Sequence, residues 1–242
     1  MDQSRNTTPA AVSRGILVLL AAACGITVGN VYLCQPLLSQ IAVSMGVSEY
    51  LAGLVAVGAQ AGYTLGILFV LPLADVLPSR KLIRILTGLT AIFTLVAAFS
   101  PTIPVLIAAS IALTTTTVIP QILIPVISGL ASAEQRGRII GTMQTGLILG
   151  ILLSRTVAGG LAQLTDSWRS PYLLASVLTG VLFIIVPARL PENNLKKEHT
   201  GYLSLLLSLP SLLKHRDLRL SMMLGFLVFG AFQHFGPHWP FI

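Results

Sequence analysis

The chain has 242 residues, 54% hydrophobic and 10% charged, with a mean hydropathy of +0.85. Soluble domains carry nearer 25% charge, and one water-soluble core cannot hide this much apolar surface. The net charge of +7 does not point to nucleic acid, because the cations sit in short gaps between apolar runs rather than along one helix or arm.

In chain order, apolar runs recur about every 30 residues, each long enough to cross a hydrocarbon core. They predict spans at residues 15–38, 51–73, 82–100, 104–130, 139–163, 170–187 and 218–240. The first run is too long for the apolar region of a cleaved signal peptide, roughly 7–15 residues. Backbone inside hydrocarbon must bond within its own segment, and the runs lack the alternation of barrel strands, so helices are expected. Cap and turn chemistry marks the breaks: Ser48-Glu49, Ser100-Pro101, Ser132 with Gln135, and Asp166-Ser167-Trp168. Cys24 and Cys34 both fall in the first run, with no disulfide framework or metal-type spacing.

Cationic residues predict the orientation. Arg5, Arg14, Arg80, Lys81, Arg84, Arg136, Arg138, Arg189, Lys196, Lys197, Lys214, Arg216 and Arg219 all fall on one side, thirteen in number; the other side keeps Arg169 alone, and Arg155 falls within a span. The N-terminus is therefore expected in the cytoplasm. The loop from Pro191 to Arg219 is the longest; its leucine-rich middle, Tyr202 to Leu213, reads as an amphipathic helix at the cytoplasmic surface or as an extension of span 7.

Within the spans, polar residues are few. Span 1 holds Asn30, Tyr32 and Gln35 ahead of Pro36, which loosens the helix. Span 2 holds Gln60, Tyr63 and Thr64, and span 4 reads as a kinked polar segment with Thr114 to Thr117, Pro120, Gln121 and Pro125. In span 5, Gly146, Gly150 and Ser154 recur every fourth residue, a stripe that lets another helix approach closely. Gln144 and Arg155 share a different face of that helix. Arg155 reads either as a contact for an anionic group or a gate in a central pathway, or as a side chain that snorkels to the outer interface. No acidic residue lies inside spans 1 to 6.

Two cytoplasmic turns carry charged motifs. Leu71-Pro72-Leu73-Ala74-Asp75 ends span 2, and Arg80 and Lys81 open span 3. A carboxylate followed by cations across a helix gap forms a latch that can bind helix ends. Between spans 4 and 5 stands Glu134-Gln135-Arg136-Gly137-Arg138. The first turn resembles the loop 2–3 signature of the major facilitator superfamily, with Leu71, Val76 and Pro78 departing from its glycine and basic positions. The second is similar to the Glu-x-Arg-Gly-Arg turn many members carry, and the glycine-rich stretch of span 5 resembles that of the efflux-type branch.

That resemblance implies an all-α membrane fold: a six-helix bundle of 3+3 inverted repeats plus a seventh helix. The implied divisions are a cytoplasmic N-terminus at 1–14, the bundle at 15–187, a linker with a surface helix at 188–217, and span 7 at 218–242. It implies that spans 1, 2, 4 and 5 line a cavity, so Asn30, Tyr32, Gln35, Gln60, Tyr63, Gln121, Gln144 and Arg155 are candidates for the substrate pathway. Asp75, Arg80, Lys81, Glu134, Arg136 and Arg138 become a cytoplasmic latch, and Gly146, Gly150 and Ser154 a packing face. The implied function is efflux of small molecules by alternating access in the bacterial inner membrane, with no cofactor or metal. The lipid bilayer is the expected partner, with an unknown small-molecule substrate and no nucleic acid. No nucleophile–base set, metal-ligand spacing or phosphate loop suggests an enzyme.

A complete member has twelve spans. This chain stops within the seventh on Gln233, His234, Pro237, His238 and Pro240, poor residues for a membrane helix. With one choice of codons, the run from Gln233 read in another frame encodes an apolar stretch, so a frameshift near Phe232 and a truncated, pseudogene-type product are expected. Two further readings follow: a remnant that inserts but does not transport, and a half-transporter acting as a homodimer.

Overall fold

Local chemistry sets the ends of the first helices. The Ser13 hydroxyl accepts the Ile16 N–H at 3.3 Å and opens α1 (Arg14–Met45). Pro36 has no N–H to donate, and the helix tightens there into a 3-10 turn, Gln35–Leu37, before continuing. The span therefore runs on to Met45 instead of stopping at residue 38 as the composition suggested. Gly46 ends it, with φ of 63° in the left-handed region that glycine reaches without a side-chain clash. Ser48 then caps α2 (Glu49–Val76) by accepting the Leu51 N–H at 3.3 Å. This is a computed structural model, describing residues 13–190, 201–212 and 214–235. The expected N-terminal tail through residue 12, the linker at 191–200 and the final stretch at 236–242 lie outside the described residues.

α3 (Ser79–Ala98) is regular, whereas α4 (Ile103–Leu130) is broken at Thr117-Val118 into two segments. The kink expected there has a visible cause. Thr114, Thr115, Thr116 and Thr117 all turn their hydroxyls back onto carbonyls three or four residues earlier, which bends a helix, and Pro120 opens the second segment. α5 (Ala133–Thr165) is one unbroken helix of 33 residues, starting at Ser132 and ending on Asp166 in the left-handed conformation, φ 51°. At 1.5 Å per residue it is about 50 Å long, so its charged first turns extend past the hydrocarbon. α6 (Arg169–Arg189) completes the bundle.

These six helices are each long and apolar enough to cross a membrane, with mean hydropathies of 1.6 to 2.1 over their best windows. Their outward faces carry large exposed apolar side chains, among them Val18, Ile92, Leu164 and Ile184. In water such a surface would drive aggregation; against lipid it is the solvated face. The chain is a multi-pass membrane protein.

The helices pair in a definite pattern. α1 packs on α5, α2 on α4, and α3 on α6; α3 also lies against α4 and α1 against α6. Adding three to each helix number exchanges the first two pairings, maps α3–α6 onto itself, and exchanges the last two. Two three-helix repeats produce this. Because each repeat has an odd number of spans, the second enters the membrane from the opposite side, so the repeats are inverted. The fold is the six-helix bundle of 3+3 inverted repeats that the sequence led us to expect. Two apolar cores fill it. One groups Leu37, Ile41, Val55, Leu106 and Trp168; the other groups Leu20, Leu82, Ile122, Ile139 and Val186. Cys24 and Cys34 are buried free thiols within this packing.

A second unit begins at Glu198. It contains α7 (Tyr202–Leu212), with Leu203 and Leu207 exposed one turn apart, and α8 (Arg216–Phe235). Of the helix expected over Tyr202 to Leu213, the stretch Tyr202–Leu212 is helical, and the stretch expected as span 7 at 218–240 is helical as far as Phe235 but is not among the six helices long and apolar enough to cross a membrane.

Candidate substrate-pathway site

Two seams of small residues position the site. On α5, the stripe Gly146, Gly150 and Ser154 meets a matching stripe on α1: Ala21, Gly25 and Gly29. The backbones come so close that a Cβ on Gly25 would lie 2.5 Å from the Gly146 carbonyl oxygen and 3.3 Å from Gly150 Cα. One on Gly29 would lie 3.0 Å from Ser154 Cβ. The repeat-related seam uses Gly58, Gly62 and Gly66 on α2 against Ile107, Ile111, Thr115 and Val118 on α4. There the Thr115 hydroxyl donates to the Gly62 carbonyl at 3.0 Å. The sequence reading singled out the α5 stripe alone. The two others show the same spacing of four and could have been found by the same rule.

With both seams closed, four of the eight pathway candidates converge, one from each of α1, α2, α4 and α5. Tyr32 joins Val28 and Val31 of α1 in a cluster with Tyr63 of α2 and Leu147 and Ile151 of α5. The Gln121 amide of α4 donates to the Tyr63 hydroxyl. The Arg155 guanidinium of α5 lies over the Tyr32 ring, 5.4 Å from its centroid, a cation–π contact worth about 0.5–2 kcal/mol. Arg155 is ten residues from the end of α5 at Thr165, about 15 Å of helix. Its head group turns onto a side chain of α1.

The polar inventory of this cluster is incomplete. Arg155 Nε and Gln121 Oε1 are buried without a hydrogen-bond partner, as is Nε2 of Gln60, the remaining candidate on α2. Among the described residues Arg155 has no ion-pair partner, and the chain places every acidic residue outside spans 1 to 6. An arginine at mid-span costs about 2.5–3.5 kcal/mol on insertion scales. The ring contact offsets part of that, and no carboxylate within the bundle offsets the rest.

The other candidates lie elsewhere. Asn30 turns away from the cluster: it is buried, and its amide donates to the Thr179 hydroxyl of α6 at 3.2 Å, joining α1 to α6 inside the bundle. Gln35 is half-buried in the 3-10 turn, and Gln144 is exposed on α5, on the Arg155 face but three turns toward the N-terminal end of α5. The charged turns are also divided. Asp75, Lys81, Glu134 and Arg138 are exposed. Arg80 instead serves the bundle itself, its Nε and Nη2 donating to the Leu190 carbonyl at 3.2 and 2.5 Å, just past the end of α6. Arg136 Nε donates to the Ala131 carbonyl at 3.3 Å.

At the opposite end, a lock emerges that the sequence showed only as a turn. Trp168 is 1% exposed, donates to the Ser44 hydroxyl at 3.2 Å and meets Tyr172 edge to face, centroids 5.9 Å apart. Arg169 stacks on the Trp168 ring at 4.4 Å and donates to the Ser100 carbonyl at 3.3 Å. These contacts tie together the ends of α1, α3 and α6.

Known proteins place this architecture. A family model described as the Major Facilitator Superfamily matches residues 17–241. The chain is 39% identical over 223 residues to the putative uncharacterized transporter YgaY of Escherichia coli strain K12, covering 92% of this chain and 56% of that one. It is 33% identical to the probable transporter SCO4007 of Streptomyces coelicolor, over 75% of this chain and 42% of that one. The chain thus spans about half the length of the relatives it matches. Among solved structures, the proton:xylose symporter XylE bound to 6-bromo-6-deoxy-D-glucose has the same fold, with TM-score 0.58 and 18% identity over 74% of this chain and 45% of that one. Paired three-helix repeats, small-residue seams and a family match over nearly the whole sequence lead to one conclusion: the chain belongs to the Major Facilitator Superfamily.

Proposed function

We propose that the chain forms the N-terminal half of a secondary transporter of the efflux-type branch, moving a small molecule by alternating access. The observation that carries this reading is the convergence of Tyr32, Tyr63, Gln121 and Arg155 from α1, α2, α4 and α5 on one cluster with unpaired polar atoms. Binding sites at mid-membrane between parallel halves need such inward polar groups, because the bilayer offers nothing else to hold a solute. The relatives' descriptions as transporters point the same way. The exposed charges Asp75, Lys81, Glu134 and Arg138 are positioned to latch onto a second half. Arg80 and Arg136, bonded to carbonyls, hold the turns that present them.

In this reading the protein lies in the bacterial inner membrane with its N-terminus inside, as its thirteen cations on one side require. Single cysteines at Glu134 and Asp166, labelled with a membrane-impermeant maleimide, test that orientation: intact cells should label only the second. Reversed labelling refutes it.

Because the chain spans about half of its relatives, a homodimer of parallel halves is the second reading. Purified chain in liposomes, assayed with a panel of small organic cations, anions and sugars beside chemical crosslinking, separates the readings. Uptake that needs a second six-helix half reconstituted alongside supports the first, uptake by a crosslinkable dimer of the chain alone supports the second, and no uptake in either case leaves a non-transporting remnant.

A further inference from the structure

Arg155 is the one side chain in the bundle whose chemistry asks for something its surroundings do not supply. Its guanidinium keeps five donors in a planar fork suited to a carboxylate. It has the Tyr32 ring beneath it, an unpartnered buried Nε, and no ion-pair partner among the described residues. The missing anion cannot come from the spans of a second copy, because α1 to α6 contain no interior acid: Glu49, Asp75, Glu134 and Asp166 all stand at helix ends. Beside the cation lies an apolar wall of Val31, Tyr63, Leu147 and Ile151. Gln121, whose amide donates to the Tyr63 hydroxyl, leaves its Oε1 unbonded. Within these six helices, a neutral or cationic solute would leave Arg155 uncompensated. An anion with a flat apolar body satisfies both the charge and the wall.

We propose that this face recognises a small organic anion, its carboxylate taken by Arg155 and its body resting against Tyr63, Leu147 and Ile151. Gln121 supplies one acceptor beside them, its unbonded Oε1. The proposal rests on reading the face as the substrate pathway, but it concerns binding and is tested without transport.

The probe is benzoate, with benzamide as its neutral equivalent, measured by equilibrium dialysis on the full chain in phosphatidylcholine nanodiscs. Benzoate should bind saturably, and at least about tenfold more tightly than benzamide, the discrimination expected of a charge-assisted pair. Arg155→Gln should lose that preference while unfolding no more easily than the parent, since it removes an unpaired charge from the bilayer. Arg155→Lys should recover part of it, keeping the charge without the fork. Equal binding of benzamide, or unchanged benzoate binding by Arg155→Gln, overturns the proposal. So does loss of benzoate binding when phosphatidylglycerol is added to the discs, because the guanidinium would then belong to a lipid phosphate. Transport without anion preference would sink this inference and leave the transporter reading standing. Anion binding without transport would do the reverse.

Discussion

Replacing Gly150 by alanine should separate α1 from α5. A Cβ at Gly150 would fall onto the Cα, carbonyl carbon and oxygen of Gly25, and no rotamer change can move a backbone aside. From the other side of the seam, a Cβ on Gly25 would sit 2.5 Å from the Gly146 oxygen. Ordinary contacts begin near 3.5 Å, so the helices must part by about 1 Å. A gap of that size forfeits roughly a quarter to a half of the attraction in each contact along the seam, and overpacking a built interior costs about 1–3 kcal/mol. Because the obstacle is backbone, the expected loss for Gly150→Ala lies near the upper end, about 2–3 kcal/mol. The assay is reversible unfolding in mixed micelles by increasing SDS, followed by Trp168 fluorescence. Gly160→Ala is the control: it lies on the same helix, and a Cβ there meets nothing within 4 Å. It should be neutral or stabilising by about 0.5–1 kcal/mol, the usual gain from removing an interior helical glycine. If the two variants unfold at the same SDS fraction, the α1–α5 seam does not hold the bundle as argued.

Other expectations follow from single contacts. Tyr63→Phe and Gln121→Leu, combined in a double-mutant cycle, should show a coupling of about 0.6 kcal/mol, the average for bonds between membrane helices; zero coupling would mean the amide and hydroxyl do not meet. Trp168→Ala should cost about 3–5 kcal/mol in SDS unfolding followed by far-ultraviolet circular dichroism, since it empties a buried aromatic site and frees Ser44, while Trp168→Phe should recover most of that. Arg80→Ala releases the Leu190 carbonyl, so amide hydrogen exchange at Val186 to Leu190 should quicken severalfold; unchanged exchange would show that the α6 end does not depend on it.

The positions of the six spans were legible in sequence because hydrocarbon thickness and backbone satisfaction leave a membrane chain few choices. A run of twenty apolar residues inside hydrocarbon must be a helix. The kink in α4 was legible too, since clustered threonines and Pro120 act within one or two turns. The span boundaries were less so. The first span was expected to end at residue 38, yet Gly46 is where the backbone turns left-handed and α1 stops.

The site was half legible. Composition pointed to polar residues on α1, α2, α4 and α5 but treated Asn30 like Tyr32, although they are only two positions apart. On a helix that spacing is about 200°, so the two side chains face opposite ways: Tyr32 meets Arg155, and Asn30 meets Thr179. Which way is inward depends on where α5 and α6 stand, and only the closed glycine seams set that. Arg80 shows the same division. Its charge marked a cytoplasmic turn in the sequence, but its bond to the Leu190 carbonyl joins residues 110 apart, a contact that no local pattern contains. The sequence alone determined that the chain spans the membrane and where its first six apolar helices run, because those follow from lipid as a solvent. The tertiary structure decided which polar side chains meet, because that depends on helix rotation and on backbone contacts only small residues permit.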